Sequence, residues 1–150
     1  MKQESSTVLI VSDVHLGSEF SHAKELMAFL GREPFGTLIL NGDILDNPNL
    51  KFFTPEHWKF IELLQQLKRE GKEVVWVMGN HDDFARHFFK SIGIKAKNQY
   101  SFEWEGKKCL ALHGHQFDKF LIQNRIMATT MNRSYRMIQK MDKTKRKVTR

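Results

Sequence analysis

Three short apolar runs rich in β-branched residues recur in the first half of the chain, and helix-like segments separate them. The runs are TVLIVS at residues 7–12, GTLILN at 36–41 and EVVWVM at 73–78. Each is short for a helix and is typical of a buried strand. Because strands that alternate with helices pair in parallel, we predict an α/β domain with a layered sheet flanked by helices.

The two helix-like segments lie between these runs, at residues 21–30 and 55–70. Ser21 is the predicted N-cap of the first. The second has Thr54 as its cap, Pro55 at its first helical position and Gly71 after its end, an arrangement typical of helix boundaries. Its apolar side chains form one stripe, made of Phe60, Ile61, Leu63, Leu64 and Leu67.

The second half of the chain has a different pattern. Tyr100, Phe102 and Trp104 alternate with polar residues, and the join at residues 105–107 predicts a hairpin with the run KKCLALHG. A short helix is predicted before the hairpin, and a longer one over residues 118–141. We therefore divide the chain into a core at residues 1–120 and a basic, Met-rich helical segment at residues 121–150.

Polar side chains that can bind metal follow each predicted strand. They are Asp13 and His15, then Asp43 and Asp46, then Asn80, His81, Asp82 and Asp83, and finally His113 and His115. In open parallel sheets the carboxyl ends of the strands form the ligand site, so four loops would meet at one edge. Carboxylates, imidazoles and an amide suit Mn²⁺, Fe²⁺, Zn²⁺ or Co²⁺. Neighbouring glycines let the backbone approach closely, and they are Gly42, Gly79 and Gly114.

Each motif alone has an ordinary structural explanation. Asp-x-His is frequent by chance, Gly-Asp after a strand is more often a turn, and a histidine such as His113 is more often a hydrogen-bonded core residue than a ligand. Four motifs in order, each at the end of a strand, are hard to obtain from turn chemistry alone. The combination predicts a metal site.

With these motifs, residues 9–120 resemble the calcineurin-like metallophosphoesterase family. The family pattern D-x-H, GD and GNH[DE] is present as Asp13-Val14-His15, Gly42-Asp43 and residues 79–82. The stretches NGDILD and HGHQFD are similar to the branch of UDP-2,3-diacylglucosamine pyrophosphatase-like hydrolases. The resemblance implies hydrolysis of phosphoester or pyrophosphate bonds in a UDP-diacylglucosamine-like or nucleotide-type substrate.

The resemblance also implies roles for the residues. Asp13, His15 and Asp43 would hold one divalent cation, and Asp43, Asn80 and His113 the second. His81 would be the general acid or would stabilise the leaving group, with Asp82 orienting it, and a hydroxide between the two metals would attack phosphorus. The lack of cysteine ligands favours Mn²⁺, with Zn²⁺ and Fe²⁺ as alternatives.

Two departures from the family pattern matter. The GHxH motif is absent, since residues 114–117 read GHQF and no histidine follows His115. We therefore expect the N-terminal part of a longer protein or a short form, without its closing strands, with weak metal binding and with self-association through an exposed apolar face. The lipid-specific branch has Arg where His81 stands and Asp where His115 stands, which argues against a lipid substrate and leaves the roles of His115 and Asp118 open.

The net charge of +7 is concentrated at one end of the chain. Residues 133–150 hold eight basic residues and one acidic residue, Asp142. A solvated helix face explains this run, and contact with an anionic membrane is the alternative. Nucleic acid is the weaker partner, because only Tyr135 is interleaved with the basic residues. A non-catalytic module that binds through this segment is therefore the second hypothesis for function.

The location of the protein follows from what the sequence lacks. The first residues do not have the layout of a signal peptide, and no apolar run is long enough to span a bilayer. Cys109 is the single cysteine, which fits a reducing compartment. We predict a cytoplasmic protein, with peripheral contact at the inner face of the membrane as an extension of the membrane hypothesis.

Overall fold

The computed structural model describes residues 7–46, 49–80 and 82–117. The predicted helix at 118–141, the predicted boundary after residue 120 and the basic segment lie outside these residues. The chain divides into two compact units, Met1–His113 and Gly114–Arg150. The fold described below is that of the first unit.

A parallel sheet of four strands forms the centre of this unit. Its strands, in spatial order, are β1 (Val8–Val11), β2 (Thr37–Asn41), β3 (Glu73–Val77) and β4 (Ala96–Lys97). The register places Ile39 of β2 opposite Ile10 of β1 and Val75 of β3. The first three strands and their parallel pairing confirm the prediction, whereas β4, only two residues long, has no apolar pattern and was not predicted.

Three helices connect the strands: α1 (Ala23–Leu30), α2 (Pro55–Arg69) and α3 (Arg86–Ser91). Helix α2 begins as predicted, because the Thr54 hydroxyl accepts a hydrogen bond from the His57 amide. The predicted cap of α1 is wrong. His22 is its N-cap, without a side-chain hydrogen bond, and the Ser21 hydroxyl instead donates to the Val14 carbonyl at 2.7 Å.

Apolar side chains cover both faces of the sheet. On one face Leu38, Leu40 and Trp76 pack in a cluster with side chains of α2, and the Trp76 ring lies 4.0 Å from that of Phe89 in α3. On the other face Ile39, Val77 and Ala111 form a smaller cluster. Each large side chain buried in this way contributes roughly 1.5–3 kcal/mol, so the strands and the loops at their ends are firmly placed.

The second cluster is closed by a hairpin of β5 (Tyr100–Trp104) and β6 (Lys107–Ala111). The strands are antiparallel, and Trp104 is opposite Lys107. The two turn residues, Glu105 and Gly106, have φ of 50° and 72°, as a two-residue hairpin turn with the twist of the strands requires. The predicted hairpin is confirmed, and its last strand leads directly to His113.

Within the described part of the chain, no helix has the length and apolar character needed to cross a bilayer.

Candidate metal centre

The loops that follow β1 and β2 run side by side and bring the first two motifs together. The Asp13 amide donates to the Gly42 carbonyl, and the His15 amide donates to the Asp43 carbonyl, each at 3.0 Å. The pairing continues to a β-bridge between Leu16 and Leu45. Parallel pairing thus extends beyond the strands and fixes the loops in register.

Asp13, His15 and Asp43 form a group with the geometry of a metal site. Each offers one ligand atom, and the three atoms lie within 4.8 Å of one another. The His15 Nε2 atom is 3.8 Å from the Asp13 Oδ1 atom. Asp43 is buried, whereas Asp13 is exposed, so the group opens to solvent on one side. These are the three residues that the family resemblance assigns to the first cation.

The backbone at these three residues is strained. Asp13, His15 and Asp43 have φ of 55°, 49° and 52°, and Glu105 is the one other described non-glycine residue with a positive φ. Residues with a side chain in this left-handed region cost roughly 1–3 kcal/mol each and concentrate at functional sites. Since the neighbouring hydrogen bonds hold this conformation in two separate loops, the strain points to a function of the three side chains.

Asp46 lies behind the His15 ring, on the side away from Asp13. Its Oδ1 atom lies 3.5 Å from His15 Nδ1, and its side chain is only 12% exposed. This leaves Nε2, the other ring nitrogen, on the side of Asp13. A carboxylate behind a histidine ligand is a common way to fix the ring and to raise its basicity. The spacing of Asp43 and Asp46, which places both on one loop, was the available signal.

The charge around His15 favours its protonated form. The adjacent Asp46 carboxylate is the largest cause that raises the pKa of His15. Burial opposes this, and the negative charges of Asp43 and Asp13 raise it further. A cation at Nε2 requires the neutral ring and would therefore compete with a proton. The same surrounding charge attracts a cation, so metal binding at this group should weaken as the pH falls.

His113 joins the group from the end of β6. Its Nε2 atom is 4.0 Å from Asp13 Oδ1, and its side chain is 13% exposed. A methyl group at Gly42 would overlap the His113 ring and lie 2.8 Å from its Cβ atom. The Asn41 side-chain amide donates to the Leu112 carbonyl at 3.1 Å and ties β2 to the residue before His113.

Gly79 lets the loop after β3 lie directly against Asp43. A methyl group there would overlap Asp43 Oδ1 and its backbone nitrogen and would be 3.0 Å from its Cγ atom. The predicted close approach is confirmed at Gly42 and Gly79. At Gly114 no described atom lies within 4 Å of an added methyl group, and the φ of 95° is what favours glycine there. Asn80 follows Gly79 and is exposed.

Asp82 is completely buried, and both of its carboxylate oxygens accept hydrogen bonds. Oδ1 accepts from the amides of Ile44 and Leu45, and Oδ2 accepts from the Gly79 amide and the Trp76 indole. Burial raises the pKa of Asp82, although its backbone hydrogen bonds act in the opposite direction. His81 lies outside the described residues, so its role as general acid and its orientation by Asp82 stay predictions.

The donor set fits a hard or borderline divalent cation. Two carboxylates and one imidazole surround one point at the carboxyl edge of the sheet, with a second imidazole beside them. Mg²⁺, Mn²⁺, Fe²⁺ and Zn²⁺ all accept such ligands. The arrangement can hold a cation close to solvent, where a phosphate group could reach it.

Comparison with known proteins identifies a family for the chain. The family model described as calcineurin-like phosphoesterase matches residues 6–147. Among solved structures, the chain is similar to the nuclease MPE of Pseudomonas putida, with 26% identity and a TM-score of 0.43. That match covers 60% of this chain and 46% of the nuclease chain, so less than half of the nuclease is represented. Comparison with curated proteins gives no match.

Proposed function

The chain belongs to the calcineurin-like phosphoesterase family, and from this premise we propose that it hydrolyses phosphoester or pyrophosphate bonds with divalent cations held at the edge of its parallel sheet. The family uses divalent metals, and this chain has a candidate group for them in Asp13, His15 and Asp43. The proposal extends to two cations, with Mn²⁺ as the preferred metal.

One observation carries the proposal. Asp13, His15 and Asp43 come from two loops, share a strained left-handed backbone, and direct their ligand atoms to within 4.8 Å of one another. An ordinary turn has no need for three such residues side by side. A metal site does, because its ligands must converge in spite of their local backbone preferences.

Each residue has a defined task in this proposal. Asp13 and His15 hold the first cation, Asp43 is shared, and Asn80 and His113 complete the second position. Divalent cations in such sites lower the pKa of a bound water towards neutrality and offset charge on the phosphoryl oxygens. Asp46 keeps His15 Nε2 aimed at the first position. His81 would donate the proton that the leaving group takes up.

The substrate is proposed at the level of bond type. A nucleotide diphosphate bond is shared by the UDP-diacylglucosamine-like and the nucleotide-type substrates that the motifs suggest, so both belong to the proposal. Chromogenic phosphodiesters test hydrolysis of phosphoester bonds without a choice between these substrates. Release of UMP and a sugar phosphate from UDP-sugars then reports pyrophosphate hydrolysis, and release of a nucleoside monophosphate and a nucleoside from dinucleoside monophosphates reports phosphodiester hydrolysis.

The test compares two variants that each lose one carboxylate. In Asp43→Asn the shared ligand loses its charge, and Mn²⁺-dependent hydrolysis of bis-p-nitrophenyl phosphate should fall by about 100-fold or more, since loss of a residue that only supports a ligand already costs about 10- to 100-fold. Glu103→Gln, in the exposed part of β5, should retain full activity. Equal activity of Asp43→Asn and the unaltered protein, or activity that survives complete removal of metal, would refute the proposal.

A further inference from the structure

The loop after β1 and the loop after β3 reach the loop after β2 in different ways. Backbone hydrogen bonds from Asp13, His15 and Leu16 join the first loop to residues 42–44. The pairing of β2 with β3 ends at Asn41 and Val77. The next residue of β3's chain, Met78, donates its amide to the Lys97 carbonyl of β4 and therefore turns away from the loop after β2. Among the described residues, the side chain of Asp82 connects the second loop to the third.

The Asp82 carboxylate bridges these two loops. One oxygen accepts from the amides of Ile44 and Leu45, at 3.1 and 3.2 Å, immediately after Asp43. The other accepts from the Gly79 amide at 2.9 Å, immediately before Asn80. The residues on both sides of the bridge are therefore direct neighbours of proposed metal ligands.

The bridge also has a fixed position in the core. The Trp76 indole donates to the second oxygen at 3.2 Å, and both Trp76 and Asp82 are 0% exposed. A carboxylate with four N–H donors and no access to water has one favoured orientation, because any rotation would leave buried donors without an acceptor.

Gly79 connects the bridge to the metal ligand itself. Its amide is held by Asp82, and its Cα lies so close to Asp43 that a methyl group would overlap the Asp43 carboxylate. A shift of Gly79 would therefore release or displace the Asp43 side chain. Asp82 does not need to touch a cation in order to control where one can bind.

We infer that Asp82 is a positioning residue whose buried carboxylate clamps the Asp43 loop to the Asn80 loop and so sets the geometry of the cation site. The inference rests on the proposed metal-dependent function. It differs from the role of orienting His81, since all four hydrogen bonds described here go to the Asp43 loop, to Gly79 and to the core.

Asp82→Asn tests the clamp with almost no change in shape. An amide has one acceptor oxygen, so in either orientation its NH₂ group faces two N–H donors and two of the four hydrogen bonds are lost. In metal-free protein, hydrogen exchange should accelerate about tenfold or more at the amides of Ile44 and Leu45 or at the amide of Gly79. Mn²⁺ affinity by titration calorimetry should fall about tenfold or more.

Phe89→Leu is the matched control. It loosens the packing around Trp76 but leaves the Asp82 hydrogen bonds in place, so its Mn²⁺ affinity and its exchange at Ile44, Leu45 and Gly79 should stay close to those of the unaltered protein. If Asp82→Asn does not fold, Trp76→Phe removes one donor and should still weaken Mn²⁺ binding more than Phe89→Leu does.

Two results would overturn the inference. One is a folded Asp82→Asn protein, or in its place Trp76→Phe, that binds Mn²⁺ as tightly as the unaltered protein. The other is an equal loss in Phe89→Leu, which would assign the effect to packing. If the unaltered protein binds no Mn²⁺, the proposed function fails, and amide exchange in the metal-free proteins alone decides whether Asp82 clamps the two loops.

Discussion

Replacing Gly79 with alanine should weaken cation binding more than it weakens the fold. The φ of Gly79 lies outside the left-handed region, so alanine meets no backbone penalty there. Its methyl group, however, would overlap Asp43 Oδ1 and backbone nitrogen and lie 3.0 Å from Cγ. The Asp43 carboxylate can rotate away from the methyl group. The Asp43 backbone nitrogen cannot move without shifting its loop, and hydrogen bonds hold that loop to the Asp13 loop and to Asp82.

The size of the effect follows from this overlap. Inserting a methyl group into a well-packed place costs about 1–3 kcal/mol. If that cost falls on the arrangement that binds the cation, the affinity drops by about 5- to 150-fold. The free energy of unfolding changes less than the binding free energy. Alanine also reduces the conformational entropy of the unfolded chain, which stabilises the folded protein by about 0.4–1 kcal/mol.

Titration calorimetry with Mn²⁺ and urea denaturation measure the two effects separately. Gly31→Ala is the matched control, since its φ is −74° and its methyl group would lie 3.5 and 3.9 Å from carbonyl oxygens. It should bind Mn²⁺ normally. A folded Gly79→Ala protein with an affinity within about twofold of the unaltered protein would refute the argument, because 1 kcal/mol already corresponds to about fivefold.

Two further predictions concern residues that support the site. Asn41→Ala removes the hydrogen bond to the Leu112 carbonyl and should lower the free energy of unfolding by about 1–3 kcal/mol. The control Asn98→Ala, at an exposed position, should change this free energy by less than about 0.5 kcal/mol. Equal midpoints of urea denaturation for the two variants would contradict the prediction. His57 accepts a hydrogen bond from the Gly17 amide at its Nδ1 atom, and burial lowers its pKa. The contribution of the neutral His57 ring to stability is therefore complete above the unfolded pKa of about 6.5. This contribution is lost as the pH falls through the lower pKa of the folded state. Denaturation between pH 7.5 and 5 should therefore show a smaller decline for His57→Gln than for the unaltered protein, and identical pH profiles would exclude this role.

Local patterns were sufficient for the elements that have a strong local signal. The β-branched runs of β1 to β3 and the cap, proline and glycine at the ends of α2 were predicted because burial and capping depend on neighbours in the sequence. The prediction of Ser21 as the N-cap of α1 was wrong because a contact outside the helix determines where this side chain lies. Its hydroxyl donates to Val14, seven residues earlier, and this contact outweighs its preference for a cap.

In the candidate site, too, some features follow from local sequence and others depend on contacts between distant residues. Strand-end placement brought Asp13, His15 and Asp43 together correctly, since parallel strands end at one edge. Asp46 was noticed as a possible ligand, but its place behind His15 depends on how the loop folds. The four donors of Asp82 come from residues 3 to 38 positions away, and no local rule predicts them.

The sequence by itself determined that Asp13, His15 and Asp43 lie at the carboxyl edge of a parallel sheet and which family the chain belongs to. Both are encoded in short segments, where hydrophobic period and residue type act locally. Only the tertiary structure decided how the loops are held. The backbone is left-handed at Asp13, His15 and Asp43, and Gly79 lies too close to Asp43 for any side chain larger than hydrogen. Both features exist because distant segments pack against one another and outweigh local conformational preference.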